Sequence, residues 1–160
     1  MNLSHLWLSQ FDPSVPGAGP AACYRACREM ARRGFGVVFP ESTVNHIRLA
    51  DAELDHGAIQ PNVSGFEKAK AMMLPRLMIG VPVIVGEHYK MGSQNRDHAT
   101  DHFVLLCGVM PSGILVGLNP GAEMHGGDFN AAFMEDTAAH VFRTVAPVGL
   151  VASMSMVVLA

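Results

Sequence analysis

The residue types most able to do chemistry gather in one stretch, "NRDHATDHFVLLCGV" (Asn95–Val109), where two Asp-His pairs precede an apolar run. His88, His98 and His102, with Asp97 and Asp101, offer the donor types of a metal centre. His98 and His102 stand at i, i+4, which suits a helix. But His102 leads straight into a β-type run, along which four residues span about 13 Å. A metal site is therefore the weaker reading, and no metal or other cofactor is expected.

The stronger reading is a thiol nucleophile. A cysteine attacks as its thiolate, and the first turn of a helix favours that form through the macrodipole and its free N–H groups. Cys23 lies three residues after Pro20, at the start of a helical pattern. An imidazole must then take the proton and pass it to the leaving group. A polar residue must hold that imidazole in one tautomer. His102 is the candidate base and Asn119, in "GLNPG", the candidate orienter.

Strand geometry relates this pair. A two- or four-residue connection through "MPSG" pairs position i with 223 minus i. Asn119 then faces Val104, two residues from His102, and the pair become diagonal neighbours on one face, about 5–8 Å apart at Cβ. A three-residue connection would put them on opposite faces. By the same alternation Cys107 points away from His102. Each residue also has a plainer reading: cysteines pack in cores, and Asn before Pro is an ordinary turn residue. Cys27 is read as core, and Asp97 and Asp101 as solvating a long loop.

The elements that must position these residues read as α+β with an antiparallel sheet. "QFDPSVPGAGP" is a Pro/Gly-rich loop. Pro20 opens a helix, "AACYRACREMARRG", that stops at Gly34. "FGVVFP" is a short strand or extended piece, and residues 41–61 carry no clear pattern. "SGFEKAKAMMLPRLMIG" begins with a Ser64/Glu67 capping box and carries the stripe Phe66, Ala69, Met73, Leu77. Pro75 should kink or split this second helix, and Gly80 should end it. "VPVIVG", "DHFVLLCGV", "GILVGLN" and the apolar tail read as strands, with a polar loop after the first.

The 160 residues form one domain, 1–160, long enough to bury a core. A formal charge of −3, with "CREMARRG" as the main basic cluster, argues against nucleic acid. The start lacks the pattern of a secretory leader, and the tail is too short and interrupted to span a membrane. Three cysteines do not suggest a disulfide scaffold.

A helix opening on Cys with "CYRA", then "GVPVIVG", "DHFVLLCGV", a turn and "GLNPG", resembles the papain-like cysteine peptidases, nearest the bacterial branch of C39 peptidases. The likeness runs from Gln10 to Gly121. It implies a papain-like fold with the nucleophile's helix packed on the sheet, Cys23 as nucleophile, His102 as base and Asn119 as orienter. It also implies that Gln10 donates to the oxyanion, although the gap from Gln10 to Cys23 is longer than that family's. With no transporter domain in the chain, a peptide-exporter role is not expected. A narrower likeness is to papain-fold amidase toxins that cut peptidoglycan stem peptides. It implies delivery by a secretion machine and a cognate immunity protein. The expected activity is cleavage of an amide in a peptide or peptidoglycan stem. The alternatives are a deamidase or transferase using the same triad, and a catalytically silent binding module on the same fold.

Overall fold

The computed structural model describes residues 3–43, 45–54, 58–87, 100, 102–121, 133–136, 141–144 and 154–160. The segment read from the sequence as a polar loop, with His88, Asp97 and His98, and likewise Asp101, lies outside the described residues. Among the described residues two α-helices, α1 (Cys23–Phe35) and α2 (Val63–Met78), accompany nine strands. These are β1 (His46–Arg48), β2 (Ala50–Leu54), β3 (Ala58–Pro61), β4 (Val83–Glu87), β5 (His102–Val109), β6 (Leu115–Leu118), β7 (Phe133–Asp136), β8 (Val141–Thr144) and β9 (Met154–Val158).

Among the described residues one antiparallel sheet runs β1-β9-β4-β5-β6-β8-β7, and β2-β3 pair separately. The class is α+β. Side chains alternate across the central strands, so each strand feeds two cores. Ile84, Leu105, Cys107, Leu118 and Val158 pack with Ala26, Cys27, Met30 and Ala31 of α1. Val83, Val85, Val104, Leu106, Leu115 and Val157 pack with Ala69, Met73 and Leu77 of α2. The sheet thus lies between the two helices. This explains why β4 and β5 read as apolar runs without a polar face.

Several element ends differ from the sequence reading. Helix α1 begins at Cys23, not at Pro20, because residues 10–21 are consumed by consecutive turns. It runs past Gly34 and ends where Gly36, at φ 67°, takes the left-handed conformation that closes helices. Gly34 is instead a packing position, since a Cβ there would meet the Leu6 side chain at 2.9 Å. In α2 the cap is Asn62, whose Oδ1 accepts from Gly65 N–H at 2.7 Å, not Ser64. Pro75 does not split the helix. Residues 36–40 form no strand, and the patternless region 41–61 contributes three. No helix among the described residues is long and apolar enough to cross a membrane.

The β5–β6 hairpin combines two departures. Met110 N–H donates to Ile114 O at 2.8 Å, closing a three-residue loop with Gly113 at φ 84°. Val109 pairs with Leu115 and Gly108 with Val116, so each pair sums to 224. An extra residue on β5, Cys107, then makes a bulge. Beyond it Leu106 pairs with Gly117 and Leu105 with Leu118, and the register is the expected 223.

Candidate active site

Strand β6 stops at Leu118, opposite Leu105, so β5 continues past it through Val104, Phe103 and His102. The turn Asn119–Gly121 covers this open edge. It is fastened from the N-terminal segment, where Trp7 Nε1–H donates to Asn119 O at 2.8 Å and Gln10 N–H donates to Pro120 O at 2.9 Å.

His102 and Asn119 meet there. His102 Nε2 and Asn119 Oδ1 are 2.8 Å apart, and both residues are buried. The same Oδ1 accepts from Gly121 N–H at 2.9 Å. This second bond assigns the first. A backbone N–H can only donate, so the atom it meets must be the amide oxygen, and an oxygen that only accepts requires Nε2 to carry a proton. A neutral His102 then holds its lone pair on Nδ1.

Cys23 is the first residue of α1 and is 7 % exposed. Its sulfur lies against the backbone N–H of Phe103, the residue after His102. Two further contacts dock this end of α1 on the start of β5. Cys27 Sγ–H donates to Phe103 O at 3.5 Å, and the Tyr24 and Phe103 rings meet edge to face at 5.0 Å. Ala22 at the N-cap offers no side-chain acceptor, so the first-turn N–H groups are left unserved by a cap. The helix-start expectation for the thiol holds only in part. Burial pushes the Cys23 thiol up, and this outweighs the N–H groups of Phe103, Tyr24 and Cys23 itself and the charge of Arg25, which pull it down. Cys27 and Cys107 are more deeply buried, and burial raises both thiols further. Cys107 packs in the core against α1.

Gln10 stands at the site but faces the other way. Its Nε2 donates to Gly19 O at 3.3 Å and Pro20 O at 3.1 Å, which engages both amide hydrogens. Its Oε1, not its Nε2, lies towards Gly121, where a Cβ would meet Oε1 at 3.3 Å and His102 Cε1 at 3.0 Å. In this arrangement Gln10 fastens the loop that delivers Cys23. The first-turn N–H groups of Cys23 and Tyr24 act on the Cys23 sulfur.

Three participants were missed by sequence reasoning. Gly121 leaves room for the imidazole, and its only sequence trace is the Pro-Gly after Asn119. Trp7 closes the turn from outside. Glu87, fully buried, ends β4 directly opposite His102, a placement that puts their Cβ atoms about 4.5–5.5 Å apart. A lone acid after "VPVIVG" was the available signal. Among the described residues no three His, Cys, Asp or Glu are grouped to hold a metal ion. No family model, curated protein or solved structure matches the chain.

Proposed function

We propose that this protein is a thiol amidohydrolase of papain-like fold, acting on an amide bond in a peptide or a peptidoglycan stem peptide. The observation that supports the reading is the buried His102–Asn119 pair, whose shared oxygen puts the imidazole proton on Nε2, beside the peptide unit whose N–H meets the Cys23 sulfur. A buried imidazole with an assigned tautomer is what a proton shuttle requires.

The reaction follows from these groups. His102 Nδ1 takes the Cys23 proton as Sγ attacks the carbonyl carbon. The tetrahedral oxyanion is met by the N–H groups at the start of α1. The imidazolium returns its proton to the leaving nitrogen, the C–N bond breaks, and an amine departs from a thioester. Water, deprotonated by the same Nδ1, attacks the thioester and releases the acid, and the sulfur regains its proton from His102. Because the thiol is held high by burial, proton transfer accompanies attack. The resemblance to peptidoglycan amidase toxins adds a delivered antibacterial role and a cognate immunity protein as partner.

The test is incubation with purified peptidoglycan, with products resolved by mass. The expected result is a hydrolytic cut that adds one water, absent in Cys23→Ala and in His102→Ala, with the double variant no worse than either. Cys27→Ala and Cys107→Ala should keep the activity. Undiminished hydrolysis by Cys23→Ala would remove the thiol from the mechanism.

A further inference from the structure

The outward face of α1 lies apart from the His102–Asn119 pair and touches the site only through the charge of Arg25 on Cys23. Arg25, Arg28, Glu29 and Arg32 stand at i, i+3, i+4 and i+7, so three guanidinium groups and one carboxylate share a stripe. With Pro16, Val38 and Phe39 they line a concave pocket of about 130 Å³. Arg28, Glu29 and Arg32 belong to the "CREMARRG" cluster and Arg25 precedes it, in a chain whose net charge is −3.

The charges in the pocket do not cancel. The Glu29 carboxylate is taken up by Arg32, at 2.7 and 2.9 Å, and by Arg33 at 2.6 Å. Arg25 and Arg28 form no ion pair with a described carboxylate. Each instead makes one bond to a main-chain carbonyl, Arg25 Nη2 to Gly17 O at 2.8 Å and Arg28 Nε to Phe39 O at 3.3 Å. These bonds hold the two side chains in place and leave most of their donors uncommitted, since a guanidinium carries five. Arg25 Nε is moreover buried without a hydrogen-bond partner among the described residues. Anchored, planar, forked donors around a small concavity match a planar or tetrahedral oxyanion better than a neutral group.

We propose that this pocket is a binding site for an oxyanion group, a carboxylate or a phosphate, held between Arg25 and Arg28. The site stands whether or not the chain is an amidohydrolase. A ligand bound there would lie along the helix that begins with Cys23, so the same helix would carry both functions.

The experiment follows the arginine Nε–H signals of the ¹⁵N-labelled full chain. Sodium phosphate is titrated in one arm and sodium acetate in the other, at constant ionic strength set by chloride. Arg25 and Arg28 should shift saturably, while Arg48 and Arg76, which do not line the pocket, stay still. The arm with the lower half-saturation names the source of the oxyanion. Arg28→Gln should weaken binding at least tenfold. Arg28→Lys, which keeps the charge but not the fork, should weaken it severalfold and serves if the first variant does not fold. Uniform shifts of all arginines, shifts without saturation, or undiminished affinity in Arg28→Lys would overturn the proposal.

Discussion

The bond between His102 and Asn119 allows a quantitative test. Replacing Asn119 with Ala removes one acceptor oxygen that serves two buried donors, His102 Nε2–H and Gly121 N–H. A buried donor stripped of its acceptor costs about 1–3 kcal/mol, so the loss of the acceptor to both should destabilise the fold by about 2–6 kcal/mol. For a chain of this length that lowers the unfolding midpoint by about 4–24 °C. Asn119→Asp should behave differently. Its carboxylate accepts both bonds, and a buried negative charge beside the ring favours imidazolium, so the histidine should stay protonated to higher pH. Imidazole ¹⁵N shifts of labelled protein read both points directly. Wild type at neutral pH should show the proton on Nε2, Asn119→Ala should lose that preference, and Asn119→Asp should move the titration upward. With Asn119→Ala, turnover should fall less than with loss of Cys23 or His102, because the amide sets a tautomer and makes no bond to substrate. A wild-type ring protonated on Nδ1, or an Asn119→Ala variant with an unchanged midpoint, would refute the assignment.

Alkylation of Cys23 should accelerate with rising pH through and beyond 9 without a plateau near 7, because burial raises the thiol and its thiolate fraction at neutral pH lies below the few per cent of an ordinary cysteine. A plateau near 7, followed by mass spectrometry of the modified peptide, would mean a preformed thiolate–imidazolium pair. Gly121→Ala should fold but turn over more slowly, since its Cβ would press on His102 Cε1 at 3.0 Å; a normal rate constant would show that the ring yields freely. Glu29, held down at about 2 by Arg32 first and Arg33 next, has a lowered folded value, so its contribution is present above the ordinary 4.5 and is lost as pH falls towards 2. Being a solvent-screened surface pair, it should be worth about 0.5–1 kcal/mol at pH 7. Urea unfolding of Glu29→Gln should show that deficit at pH 7 and little of it near pH 2.5.

The parts of the site legible in the sequence are those set by local rules. Helix α1 could be placed because turn residues give way to a helical apolar face, and Cys23 falls at that junction. Strands β4, β5 and β6 were visible as apolar runs around turn signals, and alternation alone put Cys107 on the face away from His102. The pairing of His102 with Asn119 was also correct, but the local rule reached it by an incomplete route. The loop has three residues, which alone would have turned Asn119 to the wrong face, and the bulge at Cys107 turns it back. A bulge depends on how two strands pack against α1 and α2, and no short-range pattern encodes it. The same holds for the rest of what only tertiary structure decided. Gln10 turns its amide hydrogens to Gly19 and Pro20 because those carbonyls arrive there only once the loop has closed. Glu87 stands opposite His102 because β4 and β5 pair although they are distant in the sequence. The Cys23 thiol is raised, not lowered, because desolvation is a property of everything packed around the sulfur, whereas the helix start that favours its ionisation is local.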